Sequence, residues 1–199
     1  MAMTDYPSPS DFLQPLPAWP VDVACQYFIP MPEDLLTAMR LSVGVYYNST
    51  GNQPCFDIYQ SLSPSLGDEA WDYQACTEMV MPVETNGIDD MFLPQPWNYE
   101  NYKAYCLEVF NVVPKPAWTW ISFWGQEIST ASNIIFSNGR LDPWMPGGVL
   151  VNVSSSLPAI LIDHSAHHLD LRSPDPADPQ SVVDARNYEK DVIAGWLNE

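Results

Sequence analysis

Positive charge is scarce in this sequence. Its 7 Lys and Arg stand against 25 Asp and Glu, a formal net charge of −18. A surface of that sign repels nucleic acid and anionic membrane, so neither is expected as a partner. Long apolar runs are lacking too, and none approaches the ~20 residues that a membrane-spanning helix needs. The opening Met1-Ala2-Met3-Thr4-Asp5 has neither the basic residues nor the apolar stretch of a secretory leader. Cysteine is sparse, with 4 residues and no C-x-x-C pair, and no internal repeat is apparent.

What is present argues for a packed chain. At 199 residues one sizeable domain can bury a proper core. Hydrophobic residues make up 46% of the sequence, with 8 Trp and 10 Tyr, which excludes a disordered polymer. The acidity suits solubility in an acidic compartment, where many carboxylates become neutral. Two N-x-S/T sequons, at Asn48 and Asn152, together with the four cysteines point to a secreted or lysosomal protein carrying glycans. Such a protein without a leader is expected to lack its N-terminal part.

The most informative stretch runs from Asn133 to Asp170. Asn133 to Phe136 is a short apolar run that ends at Asn138-Gly139, a turn signal, with Asp142-Pro143-Trp144 in the loop beyond. Leu157 to Ile162 is a second apolar run, followed by Asp163-His164-Ser165-Ala166-His167-His168. An acid therefore sits past the end of one buried strand and a histidine past the next. An α/β-hydrolase carries the last two members of its triad in that order, acid then base. The 25 positions from Asp142 to His167 leave room for a loop, a helical turn and one strand.

Elsewhere the reading is coarser. Residues 1 to 20 are proline-rich and extended. Val21 to Phe28 can form a short helix holding Cys25. Glu33 to Tyr46 forms a longer one with an apolar stripe of Leu35, Met39, Val43 and Tyr46. Asn48 to Asp68 is polar and turn-rich and includes Cys55. Asn98 to Asn111 is helical, with Tyr102, Cys106, Val109 and Phe110 on one face, and Pro114 and Pro116 end it. Trp118 to Gly125 is an aromatic segment suited to packing a helix on the sheet. At the C-terminus Asp178 is the expected cap and Pro179 the first residue of a helix to about Leu197.

Four motifs in one order carry a family resemblance: Asp72-Tyr73-Gln74-Ala75-Cys76-Thr77-Glu78, Asn86-Gly87-Ile88-Asp89-Asp90-Met91-Phe92, Phe136 to Trp144 (FSNGRLDPW) and Ala166 to Arg172 (AHHLDLR). Over nearly its whole length the chain resembles the C-terminal portion of the Pro-Xaa carboxypeptidase and dipeptidyl peptidase II family of serine peptidases. Phe12 to Val21 and Met79 to Pro82 favour the carboxypeptidase side. The resemblance implies the α/β class. Residues 1–46 would be the remainder of a helical cap domain, and residues 47–199 the C-terminal part of an α/β-hydrolase domain. It makes Asp142 the triad acid and His167 the triad base. Trp144 and Met81 match positions in a pocket for the substrate proline, where a flat ring and a thioether suit a pyrrolidine.

The same resemblance pairs Cys76 with Cys106 and leaves Cys25 and Cys55 as halves of bridges whose partners lie outside the chain. It also has a further cysteine where this sequence has Glu84.

The residues have blander readings as well. An acid before proline is an ordinary turn former, and Trp144 and Met81 are ordinary core types. His168 fits a packed neighbour of His167, and His164 a strand-end surface residue. The H-x-x-H-H spacing of His164, His167 and His168 fits no closed zinc site, so no metal or cofactor is expected.

One component is missing. None of the nine glycines has serine two residues downstream, so the G-x-S-x-G nucleophile elbow is absent from these residues. The expectation is an exopeptidase acting on peptides with proline near the scissile bond, present here without its nucleophile and inactive alone. A dipeptidyl peptidase II-like aminopeptidase or a non-catalytic truncated product is the alternative. The full-length protein is compatible with a homodimer.

Overall fold

A computed structural model describes residues 5–12, 14–56, 68–125 and 127–198. The turn-rich reading of 48–68 therefore lies, for residues 57–67, outside the described residues. The chain divides into two compact units, one of residues 1–62 with 129–199 and the other of residues 63–128.

In the first unit, α1 (Pro20–Gln26) opens with proline at its first position, where the missing N–H costs no hydrogen bond. The second helix, α2 (Leu35–Tyr47), is capped by Asp34, whose carboxylate accepts the Thr37 N–H at 3.1 Å. The helix is rotated from the face its apolar stripe implied. Ala38 is its buried residue, and Leu41, Gly44 and Val45 line a cavity of about 310 Å³ with Val23 of α1 and Tyr27 just beyond it. Leu35, Met39 and Val43 are exposed. The small Ala38 is on the buried face, and the larger side chains of the stripe are turned outward.

The same unit holds β1 (Phe136–Gly139) and β2 (Ala159–Ile162), paired in parallel with Phe136 opposite Ala159 and Gly139 opposite Ile162. Asn138-Gly139 is thus the end of a strand and not a turn. Gly139 is not in the left-handed region. It is required for close approach, because a Cβ there would fall on the carbonyl oxygens of Ser165 and Ala166.

The C-terminal helix, α6 (Gln180–Trp196), packs on β2 and buries Val182 and Ala185. These join Tyr6, Ile162, Ala166 and Leu169 in one core cluster, with Phe12, Leu141 and Ile160 against it. Each large apolar side chain so buried contributes roughly 1.5–3 kcal/mol. Asp178 does not cap α6, which has Pro179 at that position. Its carboxylate is taken by Arg186, at 2.6 Å, and by the Asp175 N–H. A buried guanidinium outcompetes neutral helix N–H groups for a carboxylate.

The second unit contains α3 (Asp68–Thr77), α4 (Tyr99–Phe110) and α5 (Trp118–Phe123). Cys76 of α3 is bonded to Cys106 of α4, with Cα atoms 5.4 Å apart. Asn98 caps α4 by accepting the Asn101 N–H at 2.9 Å. Trp120, Ile121 and Phe123 of α5 are exposed. No helix among the described residues is long and apolar enough to cross a membrane.

Candidate active site

Parallel pairing puts the C-terminal ends of β1 and β2 side by side, so the loops that leave them meet. The loop after β1 is a series of tight turns. Asp142 N–H donates to the Gly139 carbonyl at 3.1 Å, and Met145 N–H to that of Asp142 at 3.0 Å. Asp142 Oδ1 accepts the Trp144 N–H at 2.9 Å, the side-chain-to-backbone turn typical of aspartate. Asn138 steadies the far side of this loop. Its amide donates to the Val149 carbonyl at 3.0 Å and packs so closely on Gly148 that a Cβ there would fall on Asn138 Oδ1.

The loop after β2 is drawn over the end of β1. Leu141 N–H donates to the Ser165 carbonyl at 2.9 Å, and Gly139 leaves the space for that approach. His164 (φ 54°) and His168 (φ 42°) both sit in the left-handed region. Such backbone costs ~1–3 kcal/mol per residue and clusters where the surroundings hold a functional geometry. Between them stands His167. Its carbonyl accepts the Tyr6 hydroxyl at 2.6 Å. Phe12 lies against both rings, centroids 6.0 Å from His167 and 4.9 Å from His168.

The two loops bring His167 Nδ1 to 2.9 Å from Asp142 Oδ2. The acid is well buried, its side chain 11% exposed, and the imidazole is more open at 27%. Against an ionised carboxylate Nδ1 carries the proton and donates it. Nε2 is then the basic nitrogen, able to take a proton from a hydroxyl and return it to a leaving group. With Oδ1 on the Trp144 amide and Oδ2 on the imidazole, Asp142 has little freedom to rotate. Burial, with the His167 charge adding to it, holds the His168 imidazole below its ordinary pKa.

The remaining residues singled out in the sequence each have their own surroundings. Trp144 is half-exposed two positions beyond the acid. Met81 belongs to the second unit and is partly buried there. Asn152 is exposed, and its Oδ1 accepts the Ala159 N–H at 2.8 Å, which aligns the start of β2. Asn48 follows α2, and its Oδ1 accepts the Gln53 N–H at 2.8 Å. Cys25 and Cys55 are unpaired and exposed. Among the described residues no three His, Cys, Asp or Glu side chains converge to hold a metal ion.

Two supporting features escaped the sequence reading. One is Tyr6, inside a segment read only as proline-rich. The other is the group around Asp170: Ser137 Oγ donates to its carboxylate at 2.8 Å, and Arg186 Nε donates to its carbonyl at 2.8 Å. These partners lie 33 and 16 positions away along the chain and meet only on folding.

Comparison with known proteins gives the family. Residues 1–189 match the serine carboxypeptidase S28 family. The whole chain is 45% identical to the lysosomal Pro-X carboxypeptidase of Homo sapiens and covers 41% of that protein. It is 47% identical to the mouse (Mus musculus) protein of the same name over 99% of this chain and 41% of the relative. Against prolyl carboxy peptidase like protein 5 of Caenorhabditis elegans it is 35% identical over its full length, which covers 43% of that protein. The chain thus spans about two fifths of the length of these relatives, and it belongs to the S28 family of serine peptidases.

Proposed function

We propose that this chain supplies the acid and the base of a serine exopeptidase that removes the residue following a proline. The nucleophilic serine would be contributed by polypeptide outside these residues. The observation that carries the reading is the 2.9 Å pair of Asp142 and His167 at the adjacent ends of two parallel strands. In this scheme His167 Nε2 accepts the serine proton as the hydroxyl attacks the scissile carbonyl. It then protonates the departing amine, while Asp142 stabilises the imidazolium.

Trp144 would present its ring to the substrate proline, and the hydrogen bond from its backbone N–H to Asp142 Oδ1 ties that residue to the catalytic loop. Met81 would offer a thioether to the same kind of group, a role resting on its chemistry alone. Residues 1–46 are assigned to the tail of a helical cap and 47–199 to the closing part of an α/β-hydrolase domain. In support, α1 and α2 pack on each other, while both strands come later. A lysosomal or secreted location, with glycans at Asn48 and Asn152, fits the acidic surface and the relatives' names.

The test compares this chain with a polypeptide that also carries the N-terminal part present in the relatives. The longer protein should react with a fluorophosphonate probe and release the residue after proline at acidic pH; the short chain should do neither. Stoichiometric labelling of the short chain at one of its own serines would overturn the assignment. Release of N-terminal dipeptides by the longer protein would turn it toward a dipeptidyl peptidase.

A further inference from the structure

Behind the His167 loop lies a polar cluster that the proton relay does not use. Asp170 closes the loop and is 5% exposed. Its carboxylate accepts Ser137 Oγ at 2.8 Å, and Ser137 belongs to β1, the strand that leads to Asp142. The Asp170 carbonyl accepts Arg186 Nε at 2.8 Å. Arg186 Nη2 donates to the carbonyls of Leu169, at 2.8 Å, and Arg172, at 3.2 Å. Arg186 Nη1 meets Asp178 at 2.6 Å, with both side chains nearly buried. One guanidinium thus gathers three carbonyls of the single turn that ends the loop, a task for a planar fork of donors that a lysine cannot perform.

Glu189 completes the cluster. One turn beyond Arg186 on α6, it is partly buried and faces the carboxylate of Asp170. Its Oε1 is buried with no hydrogen-bond partner. Two carboxylates cannot share a hydrogen bond unless one holds a proton, because neither otherwise has a donor. Asp170 already accepts from Ser137, so Glu189 is the group placed to donate.

We propose that Glu189 and Asp170 form a proton-sharing carboxyl pair which, with Ser137 and Arg186, positions His167 against Asp142. Loss of the shared proton leaves two adjacent anions under the loop and loosens that alignment. This makes Glu189 a positioning residue that confines the aligned site to acidic and neutral pH. The inference rests on reading His167 as the base, although the cluster itself can be measured without turnover.

The protonation follows from the surroundings. Burial raises the Glu189 carboxyl, the facing Asp170 carboxylate raises it further, and Arg186 opposes them, leaving it at about 7. Asp170 from the loop and Arg186 from the same helix are the charged groups facing it; β1 presents the neutral Ser137, and Asp178 is engaged by Arg186. An acid whose folded pKa is raised stays protonated in the folded chain while the unfolded chain ionises. Its contribution to stability is therefore greatest below the ordinary value of 4.5 and declines as pH rises to about 7.

The experiment uses the catalytically complete polypeptide with Glu189→Gln, Asp170→Asn and Glu189→Ala. Gln donates to Asp170 at every pH. In the parent, kcat on a proline-containing peptide should fall as pH rises through about 7. In Glu189→Gln that fall should move up by about one pH unit or more, with KM unchanged. Glu189→Ala and Asp170→Asn should lower kcat ~10–100-fold at acidic pH with little change in KM.

The second readout is the downfield proton resonance of His167 Nδ1–H, which should fade above neutral pH in the parent and persist in Glu189→Gln. An unchanged rate profile and an unchanged resonance would overturn the proposal. A shift in melting temperature with pH, without either change, would reduce the pair to a structural role and overturn it equally. If the parent shows no activity, the functional reading fails, and the resonance alone decides whether the pair aligns His167.

Discussion

The two compact units are held together by different means. In the unit of residues 1–62 and 129–199, α6 and the strand pair close around Tyr6, Ile162, Ala166, Leu169 and Val182. Its loops are then fixed by buried polar bonds, above all those of Arg186. In the unit of residues 63–128, the described side chains that are buried come down to Cys76, Cys106 and Pro114. Two of these are the halves of one disulfide. Around it stand aromatic contacts such as Tyr73–Phe110 and Trp97–Tyr102, while Ile88, Met91, Leu93 and Ile121 remain exposed. Where a segment buries little apolar area, a covalent link compensates by restricting the unfolded chain. The acid–base pair is built on the other unit, whose packed elements can hold two side chains to within ~0.5 Å.

The sharpest test of that division is a change to chemistry without a change to packing. Asp142→Asn keeps the shape of the acid but removes the charge that fixes the imidazole tautomer. In the catalytically complete polypeptide kcat should fall by about 10⁴-fold, or roughly 5.5 kcal/mol of barrier. Melting temperature should change little. A loss of stability as large as the loss of rate would mean that Asp142 is mainly a structural turn residue.

Next in size is the disulfide. Replacing Cys76 and Cys106 together by serine should cost ~3–4 kcal/mol for a link across 30 residues. The loss should be local. Hydrogen exchange should quicken in α3 and α4, while the amides of β2 and α6 keep their protection. Equal loss of protection in α6 would show that the units unfold together and would break the comparison.

A smaller effect is expected at the strand end. Gly139→Ala puts a methyl group onto the carbonyl oxygens of Ser165 and Ala166. Relief requires the His167 loop to move, at ~1–3 kcal/mol, the usual cost of overpacking. Activity should suffer more than stability, because that loop carries the base. A thermal shift assay paired with kcat measurements separates the two effects.

How far the sequence foretold these features follows the range of the interactions involved. The strand-end placing of Asp142 and His167 was legible because each is a short-range fact: an apolar run, then a loop, then a chemically capable side chain. The helix of residues 99–110 was legible from its apolar face and the prolines beyond. Gly139 misled because Asn-Gly is read as a turn whenever only neighbours along the chain are considered. Its actual constraint comes from Ser165, 26 positions later. Asp178 misled in the same way, since Arg186 claims the carboxylate that a local rule gives to the helix terminus. The stripe on α2 failed because periodicity identifies an apolar face but not the neighbour, and the face that is buried holds Ala38 while α1 packs on the same helix. Tyr6 and Ser137 gave no local signal at all, their partners lying 161 and 33 positions away.

The smallest predicted effect probes how the second unit combines its weak contributions. Asn98 accepts the Asn101 N–H at 2.9 Å and so satisfies one of the unpaired donors at the start of α4. Asn98→Ala should cost ~1 kcal/mol, the usual worth of such a cap. With the disulfide intact, that loss should pass almost unnoticed in a melting curve, because Cys106 on the same helix still anchors it to α3. In the double serine variant the same substitution should fray α4, and circular dichroism should show helix lost well below the main transition. The first unit offers the control. Asp34 caps α2 by the same geometry, accepting the Thr37 N–H at 3.1 Å, with no disulfide on that helix. Asp34→Ala should therefore have its full effect at once, whether or not Cys76 and Cys106 are bonded. If Asn98→Ala is equally mild in the oxidised and reduced proteins, α4 is held by its aromatic contacts and not by the covalent link.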